Sequence, residues 1–294
     1  MSAVDVIIVN WNDADNLMKA IDSVFALPEV TADSSFVNVL VSDNGSVDDS
    51  MTRVRERYGD RVQVIENGRN LGFAAGVNRA VERTDSRYIF LLNPDATVKA
   101  GALRNLVDFM EAHPQCAAAG PKIHESDGRV AESCGEFDTW VGAFLRSSAW
   151  GELPPLKRFA NAAALRRWDY SNERQVDLVI GAALMLRRSV FEALGGFDER
   201  FFMYHEEVDL AKRIHDAGYE AWFIPSAQAT HSGQGSSGGR GVESYKQRSR
   251  RKYWIKHHGL LWYYSLSAAL AARYALYGAV LGGVALLVRR LATR

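Results

Sequence analysis

Short, continuously apolar runs alternate with stripes of helical period through the first hundred residues. Val4 to Val9 is a β-branched run, and Leu17, Ile21 and Val24 follow at helical spacing behind the capping candidates Asp13 and Asp15, which predicts strand, loop, helix. The pattern then repeats. Val37 to Val41 predicts a second strand, Ser46 with Asp49 a capping box, Val62 to Ile65 a third strand, Phe73 to Val81 a helix and Tyr88 to Leu92 a further strand. Strands without polar alternation, separated by helix-length segments, predict a parallel sheet buried on both faces. Right-handed crossovers make this an α/β, doubly wound, mostly parallel sheet, in which ligands sit at the carboxyl ends of the strands.

Lys99 to Ala112 predicts a helix with Leu103, Leu106, Val107 and Met110 on one face, and His113-Pro114 breaks the period. Gly135 to Arg174, with Pro154-Pro155 at its middle, reads either as a lid on the substrate side or as a long ordered connection. Order returns at Val176 to Leu186. A short helix follows over Ser189 to Leu194, then a Gly195-Gly196 turn, a helix over Val208 to Ala217, a strand over Ala221 to Ile224, and a Gly/Ser-rich flap from Ser232 to Gly241.

The tail has a different character. Leu260 to Val288 is almost wholly apolar but carries Arg273 in its middle, so neither side reaches the roughly 20 apolar residues of a spanning helix. Two short helices lying in or on one leaflet are expected instead. Arg248, Arg250, Arg251, Lys252 and Lys256 adjoin Tyr253, Trp254, Trp262, Tyr263 and Tyr264, the pairing of cations and aromatic belt found at a headgroup boundary. Gly278 and Gly282 are spaced for close helix approach, so a dimerising helix pair between two copies is the competing expectation. The chain therefore divides into a body over 1–241 and a tail over 242–294.

Composition narrows the class. With 294 residues, 47% of them hydrophobic and only two cysteines, Cys116 and Cys134, the chain excludes disordered and disulfide-stapled classes and predicts reduced thiols. Met1 to Asn10 has no basic n-region and no small-residue cleavage site, so a cytoplasmic start is expected. Net charge is zero, yet residues 240–294 hold eleven Lys or Arg against one acid, leaving 24 basic and 34 acidic groups over 1–239. A basic tail beside an apolar stretch favours anionic lipid over nucleic acid.

Polar residues follow three of the strands, as a ligand site at the rim requires: Asn10-Trp11-Asn12-Asp13, Ser42-Asp43-Asn44-Gly45-Ser46 and Asn93-Pro94-Asp95. Each could be turn chemistry alone. Asp43 can accept the imide N–H of uracil or thymine, or cap a helix. Asn70-Leu71-Gly72 to Asn78 places small residues at a helix start where a nucleotide or sugar can approach. Asp95 supplies one carboxylate to a divalent ion whose remaining ligands come from diphosphate and water. His205-Glu206-Glu207-Val208-Asp209 crowds three carboxylates into a first helical turn. The helix dipole and Asp209–Arg213 pairing give that a structural account, and a general base beside an acceptor hydroxyl gives a functional one. His231, at the root of the flap, is a metal ligand or a loop imidazole.

The order Val-Ile-Ile-Val-Asn-Trp-Asn, Val-Ser-Asp-Asn-Gly-Ser-Val-Asp, Asn-Leu-Gly-Phe-Ala-Ala-Gly-Val-Asn, Leu-Asn-Pro-Asp, Gly-Ala-Ala-Leu-Met and Glu-Glu-Val-Asp-Leu-Ala-Lys-Arg resembles the family 2 inverting glycosyltransferases, over about residues 4 to 232. More narrowly, it is similar to bacterial rhamnosyltransferases that use dTDP-rhamnose and build cell-envelope polysaccharide on polyprenyl-diphosphate-linked acceptors. The resemblance implies a Rossmann-like GT-A domain over 1–241, with a nucleotide-sugar-binding half (1–98) and an acceptor-side half (99–241), and a peripheral position on the inner face of the cell membrane. It assigns Asn12 and Asp43 to the nucleotide, with Asn70, Gly72, Asn78, Asn93 and Asp95 around the nucleotide-sugar. It also implies Mg²⁺ or Mn²⁺ held by Asp95 and His231, Glu207 as base with Glu206 in support, and Gly181, Ala182 and His205 on the acceptor side. Asn93 stands where the family's first DXD acid stands, which predicts a site one charge poorer. Glu207 replaces the commoner Asp, which leaves the choice between the two glutamates open. The alternatives are a transferase using a UDP-sugar, a sugar nucleotidyltransferase, which calls for a basic Gly-rich loop that Asn10 to Asp15 lacks, and a non-catalytic membrane-bound scaffold with the same fold.

Overall fold

The computed structural model describes residues 3–137, 139–142, 168–180, 182–233 and 242–292. The chain divides into two compact units, one of Met1–Phe137 with Asp169–Arg250, the other of Asp138–Trp168 with Arg251–Arg294.

The first unit is built on β1 (Val4–Asn10), α1 (Ala14–Phe25), α2 (Pro28–Ala32), β2 (Val37–Asp43), α3 (Ser50–Tyr58), β3 (Val62–Glu66), α4 (Phe73–Val81) and β4 (Tyr88–Leu92). It continues through β5 (Ala96–Val98), α5 (Ala102–Ala112), β6 (Cys116–Glu125), β7 (Cys134–Gly135), β8 (Arg174–Val176), β9 (Leu178–Val179) and β10 (Ala183–Arg187), then α6 (Arg188–Ala193), α7 (Glu206–Asp216) and β11 (Glu220–His231). Helix α8 (Val242–Ala292) starts in this unit and is broken at Gly259, whose φ is 83°.

Among the described residues the main sheet has nine strands, in the order β3-β2-β1-β4-β10-β6-β11-β5, with β8 also on β11. The first four pair in parallel, as the unalternating apolar runs require. The second half is mixed: β10 runs antiparallel to both β4 and β6, and β5 and β8 run antiparallel to β11. The expectation of a mostly parallel sheet therefore holds for the first four strands alone. Val4, Val6 and Ile8 on β1 and Val39 and Val41 on β2 pack with Leu17, Ile21 and Val24 of α1 and Val54 of α3 in one continuous core. The opposite face is covered by α4. There a Cβ on Gly76 would lie 3.0 Å from Val9, and Ser42 Oγ donates to Gly76 O at 2.8 Å, so a glycine lets this helix sit close on the sheet.

Two local readings change. The Ser46–Asp49 capping box is not formed: α3 begins at Ser50, whose N–H and Oγ donate to Asp48 Oδ1, and Ser46 Oγ donates instead to Asp43. The stretch after His113-Pro114 is a ten-residue strand, β6. Its Cys-Ala-Ala-Ala-Gly-Pro opening has no β-branched residue to announce it. Both cysteines are free, and burial pushes each thiol up to about 12.

Asp5, inside the first apolar run, is fully buried, and Arg188 Nη2 donates to it at 2.5 Å. Ser86 N–H, Ser86 Oγ and Asn38 Nδ2 donate to the same carboxylate, while Arg188 also donates to Ser86 O, Val81 O and Thr84 Oγ1. This network ties the amino end of β1 to the start of α6 and leaves the carboxyl end of the sheet free for chemistry.

In the second unit the helix continues through Arg273 without a break, so the expected pair of short helices about that residue is replaced by an interruption at Gly259. Trp254 stacks on Trp262 at 4.2 Å with His258 beside both. Tyr253 and Trp254 are buried, whereas Leu261 and Tyr264 are exposed, so the aromatic belt is divided between interior and surface. No helix among the described residues is long and apolar enough to cross a membrane.

Candidate active site

Because β1 and β2 are parallel and in register, Asn10 and Asp43 lie side by side at their carboxyl ends. Asp43 is 3% exposed. Its Oδ2 accepts the N–H groups of Gly45 and Ser46 at 3.1 and 2.9 Å, and its Oδ1 accepts Ser46 Oγ at 2.6 Å and Asn10 Nδ2 at 3.4 Å. Four donors match the acceptor capacity of a carboxylate, so in this state Asp43 holds the turn of residues 43–46 in shape. Asn12 sits in the left-handed region at φ 53° and clamps the same turn: its N–H donates to Ser46 Oγ, and its Oδ1 accepts Val47 N–H at 2.7 Å. Trp11 between them is 40% exposed.

Asn44, from the polar run after β2, and Asn67, which no sequence pattern singles out, complete this rim. Asn44 Nδ2 donates to Gly72 O at 3.1 Å and lies 3.4 Å from Asn70 Oδ1. Asn67 Nδ2 donates to Ser42 Oγ and to Asn44 Oδ1. Asn70 Oδ1 in turn accepts Gly72 N–H at 2.9 Å and shapes the entry to α4. Nothing local distinguishes Asn44 and Asn67 from ordinary turn asparagines; only the parallel register makes them neighbours. Asn78 stands apart from this rim. Its amide receives Phe197 N–H and donates to Phe197 O and Glu199 Oε1, which makes it a clamp between α4 and the segment leading to α7.

Asp95 and His231 meet across the later sheet. His231 pairs with Ala96 in the β11–β5 register, Ser232 N–H donates to Asp95 O at 3.0 Å, and His231 Nε2 lies 3.2 Å from Asp95 Oδ1. The hydrogen bond that the imidazole donates to Asp95 raises its proton affinity against the effect of burial. Adjacent ligands of an octahedral ion with bonds of about 2.1 Å stand about 3 Å apart, so this carboxylate and this imidazole fit one divalent cation. No group of three His, Cys, Asp or Glu suited to a metal occurs among the described residues. His231 is the last residue of a twelve-residue strand; the predicted strand stopped at Ile224 because the chain is bulged between Ile224 and Gln228. Asn93 N–H donates to Ala182 O at 3.0 Å, so Ala182 borders the Asn93-Pro94-Asp95 turn, while Gly181 lies outside the described residues.

The glutamates arrive on α7, which starts from two consecutive left-handed residues, Tyr204 and His205, both at φ 67°. Non-glycine residues there carry about 1–3 kcal/mol of strain each, a cost commonly found at functional sites. Asp209, fully buried, pairs with Arg213, whose guanidinium also donates to Leu194 O and Gly196 O, and this fixes the helix. The structural role proposed for the acidic cluster therefore belongs to Asp209. Glu206 and Glu207 differ from it: Oε2 of each is buried without a hydrogen-bond partner among the described residues. Burial raises the proton affinity of both, and the neighbouring Glu207 raises that of Glu206 further. Burial lowers His205 to about 4, helped by Arg250 and Lys246, so this imidazole is neutral at pH 7. Gly72 at the entry to α4 and Phe202 before α7 are in backbone contact, which joins the glutamate segment to the start of α4.

The site thus combines a rim of polar turns, a carboxylate–imidazole pair spaced for a cation, and two buried glutamates with raised proton affinity. Residues 5–195 match the family model described as glycosyl transferase family 2. An N-acetylglucosaminyl-diphospho-decaprenol L-rhamnosyltransferase of Mycobacterium tuberculosis is 32% identical over 213 residues, covering 69% of this chain and 68% of its own. Rhamnosyltransferase WbbL of Escherichia coli is 23% identical over 78% of this chain and 83% of its own. Among solved structures, the mannosyltransferase PcManGT of Pyrobaculum calidifontis, in complex with GDP-Man and Mn²⁺, superposes with a TM-score of 0.56 at 19% identity, over 97% of this chain and 80% of that one. GalNAc-T7 with UDP, GalNAc and Mn²⁺ gives a TM-score of 0.62 at 16% identity over 86% of this chain, which spans 48% of the length of that one. These two structures show a shared GT-A fold. With its motifs in family order on that fold, the chain belongs to glycosyl transferase family 2 and is a glycosyltransferase.

Proposed function

We propose that the protein transfers a sugar with inversion, L-rhamnose from dTDP-rhamnose, to a polyprenyl-diphosphate-linked acceptor in cell-envelope polysaccharide synthesis. The observation that carries the chemistry is the pair of buried, unpartnered glutamate oxygens at the start of α7. A carboxylate whose proton affinity is raised by burial is matched to taking a proton from an alcohol at the moment of attack. Glu207 removes that proton as the acceptor oxygen bonds to the anomeric carbon. The bond from that carbon to the diphosphate oxygen breaks on the opposite side, and the electron pair leaves with the nucleoside diphosphate. Glu206, the more deeply buried of the two, supports Glu207. The choice of rhamnose and of a polyprenyl-linked acceptor rests on the names carried by the mycobacterial and E. coli relatives.

Asp95 and His231 would hold Mg²⁺ or Mn²⁺, and two relatives of the same fold carry Mn²⁺. When bound, the ion supplies positive charge against the negative charge that develops on the leaving diphosphate. Asn12, Asp43, Asn70 and Gly72 shape the nucleotide side, with Asn93 beside Asp95, and Ala182 and His205 lie toward the acceptor. The basic residues from Arg248 to Lys256 and the exposed Leu261 and Tyr264 suit a peripheral position on the cytoplasmic face of the membrane.

The test is a panel of nucleotide-sugars with Mn²⁺, read by thermal stabilisation and by transfer to a polyprenyl-diphosphate-linked sugar. Selective stabilisation by dTDP-rhamnose together with transfer supports the proposal. Selective stabilisation by a UDP-sugar would replace the donor.

A further inference from the structure

The first turns of α8 pack against the segment that delivers the glutamates. Tyr245 stacks on Phe202 with ring centroids 5.3 Å apart, Lys246 Nζ lies 5.1 Å from the centre of the Tyr204 ring, and buried Ser249 donates to Met203 O at 2.8 Å. These contacts fix which side of the helix meets residues 202–205. Arg250 follows Lys246 by four residues, so both side chains project from that side. Both are exposed, and neither has a carboxylate partner among the described residues. Eight other arginines of this unit do have one: Arg53, Arg55, Arg57, Arg87, Arg129, Arg188, Arg200 and Arg213 are each ion-paired. The charge of both cations reaches His205, the residue immediately before Glu206.

Two unpaired cations one helical turn apart, beside two carboxylates that must meet an acceptor hydroxyl, call for an anion on the acceptor. We propose that Lys246 and Arg250 form the binding subsite for the acceptor's diphosphate and position the sugar it carries at Glu206 and Glu207. This rests on the polyprenyl-diphosphate reading of the acceptor and adds to it the residues that select it. It also divides the basic cluster: Lys246 and Arg250 serve the reacting molecule, while the cations from Arg251 onward are left for the lipid surface. The ligand chemistry, phosphate on a lipid, is shared by acceptor and bilayer headgroup, so the experiment separates them.

The full chain and its Lys246→Gln/Arg250→Gln variant are titrated with farnesyl diphosphate, farnesyl monophosphate and farnesol, and separately with phosphatidylcholine vesicles with and without phosphatidylglycerol. The wild type should bind farnesyl diphosphate about tenfold or more tightly than farnesol, and the variant should lose that preference. Exchanging the cations, Lys246→Arg with Arg250→Lys, should restore most of it, which a folding defect would not allow. A diphosphate preference that persists in the Gln variant, or is missing from the wild type, overturns the proposal. So does a variant whose only loss is binding to phosphatidylglycerol vesicles, because the cations then serve the headgroup. Failure of the donor reading has a different signature: no nucleotide-sugar stabilises the protein, yet the diphosphate preference remains.

Discussion

Gly72 and Phe202 touch backbone to backbone. Phe73 N–H donates to Phe202 O at 2.9 Å, and a Cβ on Gly72 would fall 2.1 Å from that same oxygen. This one contact joins helix α4 to the segment that carries Tyr204, His205 and the two glutamates. Gly72 also sits at φ 85° and ψ 176°, a region open essentially to glycine alone.

Gly72→Ala should therefore lower stability by at least about 2 kcal/mol, with a larger loss of turnover than of nucleotide affinity, since it displaces α7 more than the β1–β2 rim. Denaturant unfolding and steady-state kinetics measure both. An alanine variant with native stability and turnover contradicts the contact.

Arg188→Ala should destabilise the fold by about 3–5 kcal/mol, because it strands the fully buried carboxylate of Asp5. This network is at the amino end of the sheet. The part of the protein that folds should consequently retain its donor KM, and a selective rise in KM would place Arg188 in the site instead.

The glutamates also leave a mark on stability. Glu206 has an ordinary value of 4.5 and is raised well above it by burial and by Glu207. Above pH 4.5 the unfolded chain has lost a proton that the native state keeps, so stability falls as pH rises through the raised native value. Glu206→Gln removes this loss. Its melting temperature should exceed that of the wild type at pH 7 to 8, and the advantage should vanish near pH 4. His205, lowered to about 4, acts in the opposite sense as pH falls from 6.5, and it is present in both proteins, so the difference between them isolates Glu206.

Asp95→Ala should raise the Mn²⁺ concentration needed for half-maximal turnover by at least about tenfold, and His231→Ala should do the same less strongly. EDTA should stop the wild-type reaction. Full activity without metal would remove Asp95 and His231 from that role.

The first four strands could be read from sequence because parallel strands buried on both faces leave no doubt of period: Val4 to Val9 and Tyr88 to Leu92 are apolar at almost every position. The later sheet could not. β6 opens on small residues, β11 is bulged, and β10 reverses direction, none of which follows from hydrophobic period. The same holds for the site. Asp95, His231, Glu206 and Glu207 could be singled out because their residue types carry chemistry. The contact of Asp95 with His231 needed the β5–β11 register, and the roles of Asn44, Phe202 and Tyr204 needed long-range contacts or a left-handed backbone that no local pattern encodes. Asn78 shows the converse: a residue in a telling motif whose amide is occupied by Phe197.

The central claim is that Glu207 is the base for sugar transfer. The direct measurement is Glu207→Gln, with kcat for transfer determined alongside the Kd for dTDP-rhamnose in the presence of Mn²⁺. The account predicts a fall in kcat of about two to four powers of ten with the donor Kd changed by less than about threefold. A glutamine variant that turns over at the wild-type rate, or one whose lost turnover is matched by lost donor binding, contradicts it.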